Sequence, residues 1–150
     1  MKEMAAPKLT RKELVDLLRA EFPEISHAMS GCDIEEVWHG ACRLRLRFSD
    51  RSLRPGGTVS GATVMALADF AMYVAVLGAV GWVPLAVTTN LTINFLKKPA
   101  ARDLLADARL IKLGKRLAVG EVGIRSDGED DLVAHVTSTY SIPPPVGSRY

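Results

Sequence analysis

Residues 61–80 read GATVMALADFAMYVAVLGAV, and the fold turns on this stretch. It contains one charge, Asp69, and its apolar residues fall on nearly every side of a helix instead of along one stripe. Such a helix has to be covered by other elements over most of its surface. Ser60 precedes it as a candidate N-cap, and Gly78, Gly81 and Pro84 close it. Its length of about 20 residues would span a bilayer. A carboxylate near the middle is costly in lipid, however, and the chain has no second candidate span. The reading is therefore a helix buried inside a soluble protein, with no membrane partner. A curled sheet would cover it, and a helix this apolar also tends to meet a second one.

The flanking segments supply the sheet. Downstream, Val87, Thr89, Leu91, Ile93 and Phe95 alternate with Thr88, Asn90, Thr92 and Asn94, so the two sets are expected on opposite faces of one strand. Lys97, Lys98 and Pro99 end it. Leu104–Leu113, Leu117–Arg125 and Leu132–Ile142 read as three more strands, with turns at Gly114-Lys115-Arg116 and Asp127-Gly128. Upstream, Cys42, Leu44, Leu46 and Phe48 alternate with Arg43, Arg45 and Arg47, and a shorter strand, Ile34 to His39, precedes them. Ser49 to Gly57 reads as a loop. Near the N-terminus, Leu14, Leu17, Leu18 and Phe22 recur at helical spacing over about residues 10–22, with Thr10 and Glu13 forming a capping-box pair and Pro23 ending the helix or following its end. The tail PPPVGSRY reads as loose. One apolar helix followed by an antiparallel meander, in a chain of 150 residues without repeats, predicts a single α+β domain over 1–150.

The composition excludes several functions. The chain is 48% hydrophobic and 24% charged, which is globular. Nineteen basic against 17 acidic residues leave a formal net charge of +2, too small an excess for a nucleic-acid binder. Cys32 and Cys42 form no CxxC pair and no His/Cys cluster, so neither a metal nor any other cofactor is expected. They read as small buried hydrophobes. The N-terminus lacks an apolar core of the secretory type, so the expected compartment is the cytoplasm. His27, His39 and His135 have no patterned partners.

Four segments taken in order carry a family resemblance: GGTVSGATVMALADFAM, AVTTNLTINFLKKPA, LADARLIKLGKRLAVGEVGI and LVAHVTSTYSI. Over about residues 32–142 the chain resembles the PaaI-like thioesterases of the hotdog fold, in which a strongly curved antiparallel sheet wraps one long helix. The resemblance implies hydrolysis of an acyl-CoA thioester. It implies that the Gly61 amide donates to the thioester carbonyl. Asp69, eight positions on, would be nucleophile or general base, and Thr88, with Thr89 as the fallback, would orient the attacking water. It also implies a homo-oligomer, a dimer or a dimer of dimers. Two positions depart from the family pattern: Ser60-Gly61 stands where His-Gly is usual, and Arg54 stands where Asn or Gln is common. These departures keep a second reading open, a non-catalytic acyl-CoA- or lipid-binding protein of the same fold. A dehydratase of this fold relies on a histidine near the helix start, and none is present there.

Elementary chemistry agrees with the assignment. Thioester hydrolysis needs an attacking oxygen and donors where negative charge develops on the carbonyl oxygen. An amide at a helix N-terminus is such a donor, and glycine lets a carbonyl approach it closely. Asp69 has Met65, Ala66, Met72 and Tyr73 one turn away, apolar neighbours that would strip water from a base. A purely structural Asp69 would instead pair with a donor such as Tyr73 or Arg54. Eight residues of helix put Gly61 and Asp69 about 12 Å apart along the axis. One thioester cannot easily touch both within one chain, so a site using both should combine two subunits. Candidate contacts to the CoA phosphates are Lys97, Lys98 and Arg102, the turn pair Lys115 and Arg116, and Arg51 and Arg54. Ser60 is a further substrate-side candidate. The acyl group itself is not legible.

Overall fold

The structure, a computed structural model, describes residues 4–49, 53–54 and 58–144; of Leu53, Arg54 and Thr58 it describes the backbone only. Helix α1 (Arg11–Glu21) starts at Thr10, whose hydroxyl accepts the Glu13 N–H at 3.2 Å as the capping box requires. It buries Leu14 and Leu18. Pro23 follows its end, as expected. Pro23 opens a second short helix, α2 (Pro23–Ala28), because proline fits the first helical position, where no intrahelical N–H bond is lost.

Strands β1 (Cys32–Trp38) and β2 (Ala41–Leu46) form a hairpin around Gly40, which has a φ of 74°. The segment expected to be loop contains a short strand, β3 (Leu53–Arg54), paired with β4 (Thr58–Val59) just beyond it. Helix α3 (Gly61–Val80) follows. Then come β5 (Val87–Phe95), β6 (Leu104–Leu113), β7 (Leu117–Ser126) and β8 (Leu132–Ser141). The six long strands form one antiparallel sheet in the order β1-β2-β6-β7-β8-β5. The expected meander therefore holds for β6, β7 and β8. β5 does not lie beside β6 but at the far edge, against β8.

The curved sheet wraps α3, which contacts all six of its strands. From Phe70 to Ala79 every α3 residue is buried. Helix and sheet approach so closely at Gly78 that a Cβ there would lie 2.9 Å from the Trp38 carbonyl oxygen, so only glycine fits without a shift. The helix is covered over most of its surface, as its apolarity predicts, but not at its start. In its first two turns Ala62, Met65 and Ala66 are exposed, and Asp69 stands half-buried where the helix emerges from the sheet. These four residues follow helical spacing, so the uncovered surface is one stripe.

The arginines of β2 lie on the outer face and are engaged there. Arg43 pairs with Asp107 at 2.7 Å, and Arg45 contacts Glu35, Asp103 and Asp127. Both cysteines are free thiols. Cys42 is buried, with Sγ 3.1 Å from the Ala71 carbonyl oxygen, whereas Cys32 is only half-buried, short of the full burial expected.

Strand β5 departs from simple alternation. Its register with β8 shifts between Thr88 and Asn90. A bulge puts one extra residue on a strand and moves everything beyond it to the other face. Thr88, Leu91 and Ile93 consequently share the half-buried side, while Val87, Thr89 and Phe95 are exposed. The expected grouping of Val87 and Thr89 with Leu91 and Ile93 is corrected accordingly.

Candidate active site

Asp69 is held by two hydroxyls from neighbouring strands. Thr88 Oγ1 donates to Asp69 Oδ1 at 2.6 Å, and the Tyr140 hydroxyl lies 2.9 Å from the same oxygen and 3.0 Å from the Asp69 carbonyl oxygen. Thr88 on β5 and Tyr140 on β8 are direct cross-strand partners, so the sheet register itself presents both hydroxyls to one helical carboxylate. Among the described residues, Asp69 Oδ2 has no hydrogen-bond partner. It is the oxygen left to meet solvent or a ligand.

Burial pushes the Tyr140 phenol far above its ordinary value, with the Asp69 carboxylate nearby acting in the same direction. It therefore stays a neutral donor at any ordinary pH. Sequence reasoning had missed Tyr140. An aromatic at an inward position of a strand reads as core, and only the β5–β8 register shows that its hydroxyl reaches Asp69. The expected alternative partner, Tyr73, donates to the Pro84 carbonyl at 2.9 Å instead. The apolar shielding expected from Met65 and Ala66 is incomplete, since both are exposed.

Asp69, Thr88 and Tyr140 line a cleft of about 460 Å³ whose other walls include Phe22, Ile25, Tyr73 and Leu85. Gly61 lines a different cleft, also of about 460 Å³, together with Val64, Phe95, Lys97 and Lys98. One chain therefore brings Thr88 to Asp69 but does not bring Gly61 to it. Gly61 is the first residue of α3, and its N–H has no acceptor among the described residues. A Cβ at Gly61 would touch the Phe95 ring at 3.2 Å. Ser60 caps the helix, accepting from the Thr63 N–H at 3.2 Å and hydrogen-bonded to the Thr63 hydroxyl at 2.9 Å.

The other candidates are dispersed. Thr89 points away from Asp69 and donates to the Thr139 carbonyl at 3.2 Å. Lys97 pairs with Glu129 at 3.2 Å, and Lys98 is exposed at the Gly61 cleft. Arg102 lies 3.4 Å from the Asp127 carbonyl oxygen. Lys115 and Arg116 are exposed in the β6–β7 turn and line neither cleft, although the Arg116 carbonyl accepts the Ile142 N–H two residues beyond Tyr140. Arg54 is described only as a backbone pair of Thr58, and Arg51 lies outside the described residues. His135 is paired with Glu121 at 3.1 Å on the outer face.

A curved six-stranded antiparallel sheet around one long helix, with a carboxylate where that helix emerges, defines a hotdog-fold protein. The family model of the thioesterase superfamily matches residues 56–133. The chain belongs to that superfamily. It is 32% identical over 136 residues to a protein of Saccharolobus solfataricus provisionally named an esterase, covering 91% of this chain and 87% of that one. The crystal structure of a protein from Silicibacter sp. TM1040, provisionally named a thioesterase, is 42% identical, with a TM-score of 0.82 over 95% of this chain and 97% of that one. A phenylacetic acid degradation-related protein from Ralstonia eutropha JMP134, also provisionally named a thioesterase, is 26% identical, with a TM-score of 0.73 over 85% and 98%. These likenesses bear out the resemblance to PaaI-like hotdog thioesterases and a hydrolase of thioesters as the class.

Proposed function

We propose that the protein is a cytoplasmic acyl-CoA thioesterase whose active site is shared between two subunits. The observation that carries this reading is the arrangement at Asp69. One carboxylate oxygen is fixed by Thr88 and Tyr140 while the other is left facing an apolar cleft. Two hydroxyl donors orient the group without neutralising it, as a general base or nucleophile requires.

In this reading a water held at Asp69 Oδ2 loses a proton to the carboxylate as its oxygen attacks the thioester carbonyl carbon. Charge collects on the carbonyl oxygen. It is met by the unused N–H of Gly61 at the helix N-terminus of the partner subunit, where the helix dipole adds to the effect. The C–S bond then breaks, the proton held by Asp69 passes to the CoA thiolate, and the carboxylic acid leaves. Direct attack by Asp69 itself would give an acyl anhydride that water then cleaves to the same products.

The two-subunit arrangement is supported by the separation of the Gly61 and Asp69 clefts and by the exposed α3 stripe. It is also supported by β5, an edge strand of nine residues with exposed Val87 and Phe95 and no charge or proline along it. Such an edge invites pairing with a second copy. Antiparallel pairing of two β5 strands would carry the partner's Lys97 and Lys98 toward Thr88, where CoA phosphates could meet them, with Lys115 and Arg116 approaching from the same subunit's turn.

A panel of acyl-CoA esters read by thiol release tests the activity. At least one ester should be hydrolysed by the wild type and none by Asp69→Asn at comparable rates. Tight binding of the same esters without any turnover would establish the non-catalytic reading in its place.

A further inference from the structure

The Asp69 cleft has a wall that the superfamily match does not cover. Phe22, Ile25 and Met29, from α2 and its two ends, line it, and all three precede the matched residues 56–133. No residue of helix α2 itself is fully buried, so it rims the core without entering it. Its apolar side chains are half-buried against the cluster around α3. Phe22 meets Tyr73 edge-on with ring centres 6.4 Å apart, and Tyr73 lies 6.3 Å from Tyr140. An aromatic row thus runs from the Asp69 carboxylate toward α2.

This wall has almost nothing polar to offer. Among the described residues lining the cleft, Asp69 alone is charged. The hydroxyls of Thr88 and Tyr140 are committed to Asp69, and that of Tyr73 to Pro84. An acyl group ending in a carboxylate would lose its water there without gaining a partner. The far end is also bounded. Met29 and Phe70 line this cleft and equally line an adjoining cavity of about 270 Å³ that carries Arg11, Arg19 and the Arg47–Asp33 ion pair. These two side chains are the partition between an apolar space and a charged one.

We propose that α2 is the acyl-specificity element of this protein. The acyl group lies against Phe22, Ile25 and Tyr73, and Met29 and Phe70 form the end stop. This rests on the reading of the cleft as the acyl site. It assigns uncharged, apolar acyl groups as the substrate class and makes the Met29–Phe70 partition the limit on their length.

The test reads binding separately from turnover. Asp69→Asn protein is titrated calorimetrically with saturated acyl-CoAs from acetyl to dodecanoyl, and with adipoyl-CoA. Each methylene buried should tighten binding about fourfold, until the chain reaches the partition and affinity levels off. Adipoyl-CoA should bind at least tenfold more weakly than hexanoyl-CoA. In the same background Ile25→Trp, at a half-buried position on the cleft wall, should fill the cleft and move the levelling point to shorter chains. Met29→Ala should move it to longer ones. Affinity that is flat along the series, adipoyl binding equal to hexanoyl, or a levelling point unmoved by both substitutions would overturn the assignment. Hydrolysis of the same series by the wild type keeps the two questions apart. Turnover with flat affinity refutes the wall alone, and the stated binding pattern without turnover supports the wall while refuting the thioesterase.

Discussion

The shared site makes a quantitative demand on mixtures of inactive variants. Gly61 and Asp69 sit about 12 Å apart along α3 and line separate clefts within one chain. If catalysis combines Gly61 of one subunit with Asp69 of the other, two variants that each lack one group can complement. Asp69→Asn keeps the side-chain shape and both hydroxyl contacts to it, but an amide neither takes up a proton at neutral pH nor attacks a thioester. Removing a general base costs about two to four orders of magnitude in kcat. Gly61→Pro deletes the proposed donor at the first helical position, where proline is otherwise accommodated. Among the described residues, the nearest neighbour of a Cβ there is the Phe95 ring at 3.2 Å, and that ring is 54% exposed and able to move. Both variants should therefore fold and be nearly inactive. After subunit exchange of an equal mixture, half the dimers are hybrids, and each hybrid has one site with both groups and one with neither. The mixture should recover about one quarter of wild-type turnover for a two-fold dimer. Exchange is followed by energy transfer between differently labelled subunits, and turnover by thiol release. A mixture that stays inactive after exchange is complete would refute the two-subunit site, as would a monomer at micromolar concentration in sedimentation.

Three further outcomes are expected. Tyr140→Phe removes the donor 2.9 Å from Asp69 Oδ1. A hydrogen bond to a charged group is worth about 1.5–3 kcal/mol, so kcat should fall roughly ten- to a hundredfold with KM little changed, as steady-state kinetics will show. Lys115→Ala combined with Arg116→Ala should raise KM for CoA esters more than it lowers kcat, because contacts remote from the reacting atoms act on binding; an unchanged KM removes the turn from the site. Asp103 accepts the Phe48 N–H at 2.8 Å and faces Arg45, which hold its carboxyl below the ordinary value of 3.8. Its contribution to stability is therefore present above that value and lost as pH falls through the lower folded value. Asp103→Asn should lower Tm near pH 7 and have much less effect near pH 2, as thermal melts across pH will show.

The parts of this protein that the sequence alone determined are those set by neighbours along the chain. Hydrophobic spacing located α1, α3 and the six long strands to within a few residues, because one buried face imposes a period of 3.6 or 2 on whatever element carries it. Thr10 with Glu13 and Ser60 marked their helix starts, because capping is a contact across three residues. The Gly61–Asp69 spacing was legible for the same reason, since a helix converts sequence separation directly into distance. Tertiary structure alone decided what depends on contacts between distant segments. The order of the strands, with β5 beyond β8, follows from pairings between residues about 50 apart that no local pattern encodes. The bulge after Thr88 shows only against β8, and it puts Thr88 and not Thr89 at the carboxylate. Tyr140 carries no local signal, because its hydroxyl finds Asp69 across 71 residues of chain. Pro23 was legible as the boundary after α1, but the short helix it opens was not, because proline at a first helical position looks the same in sequence as proline after a helix end.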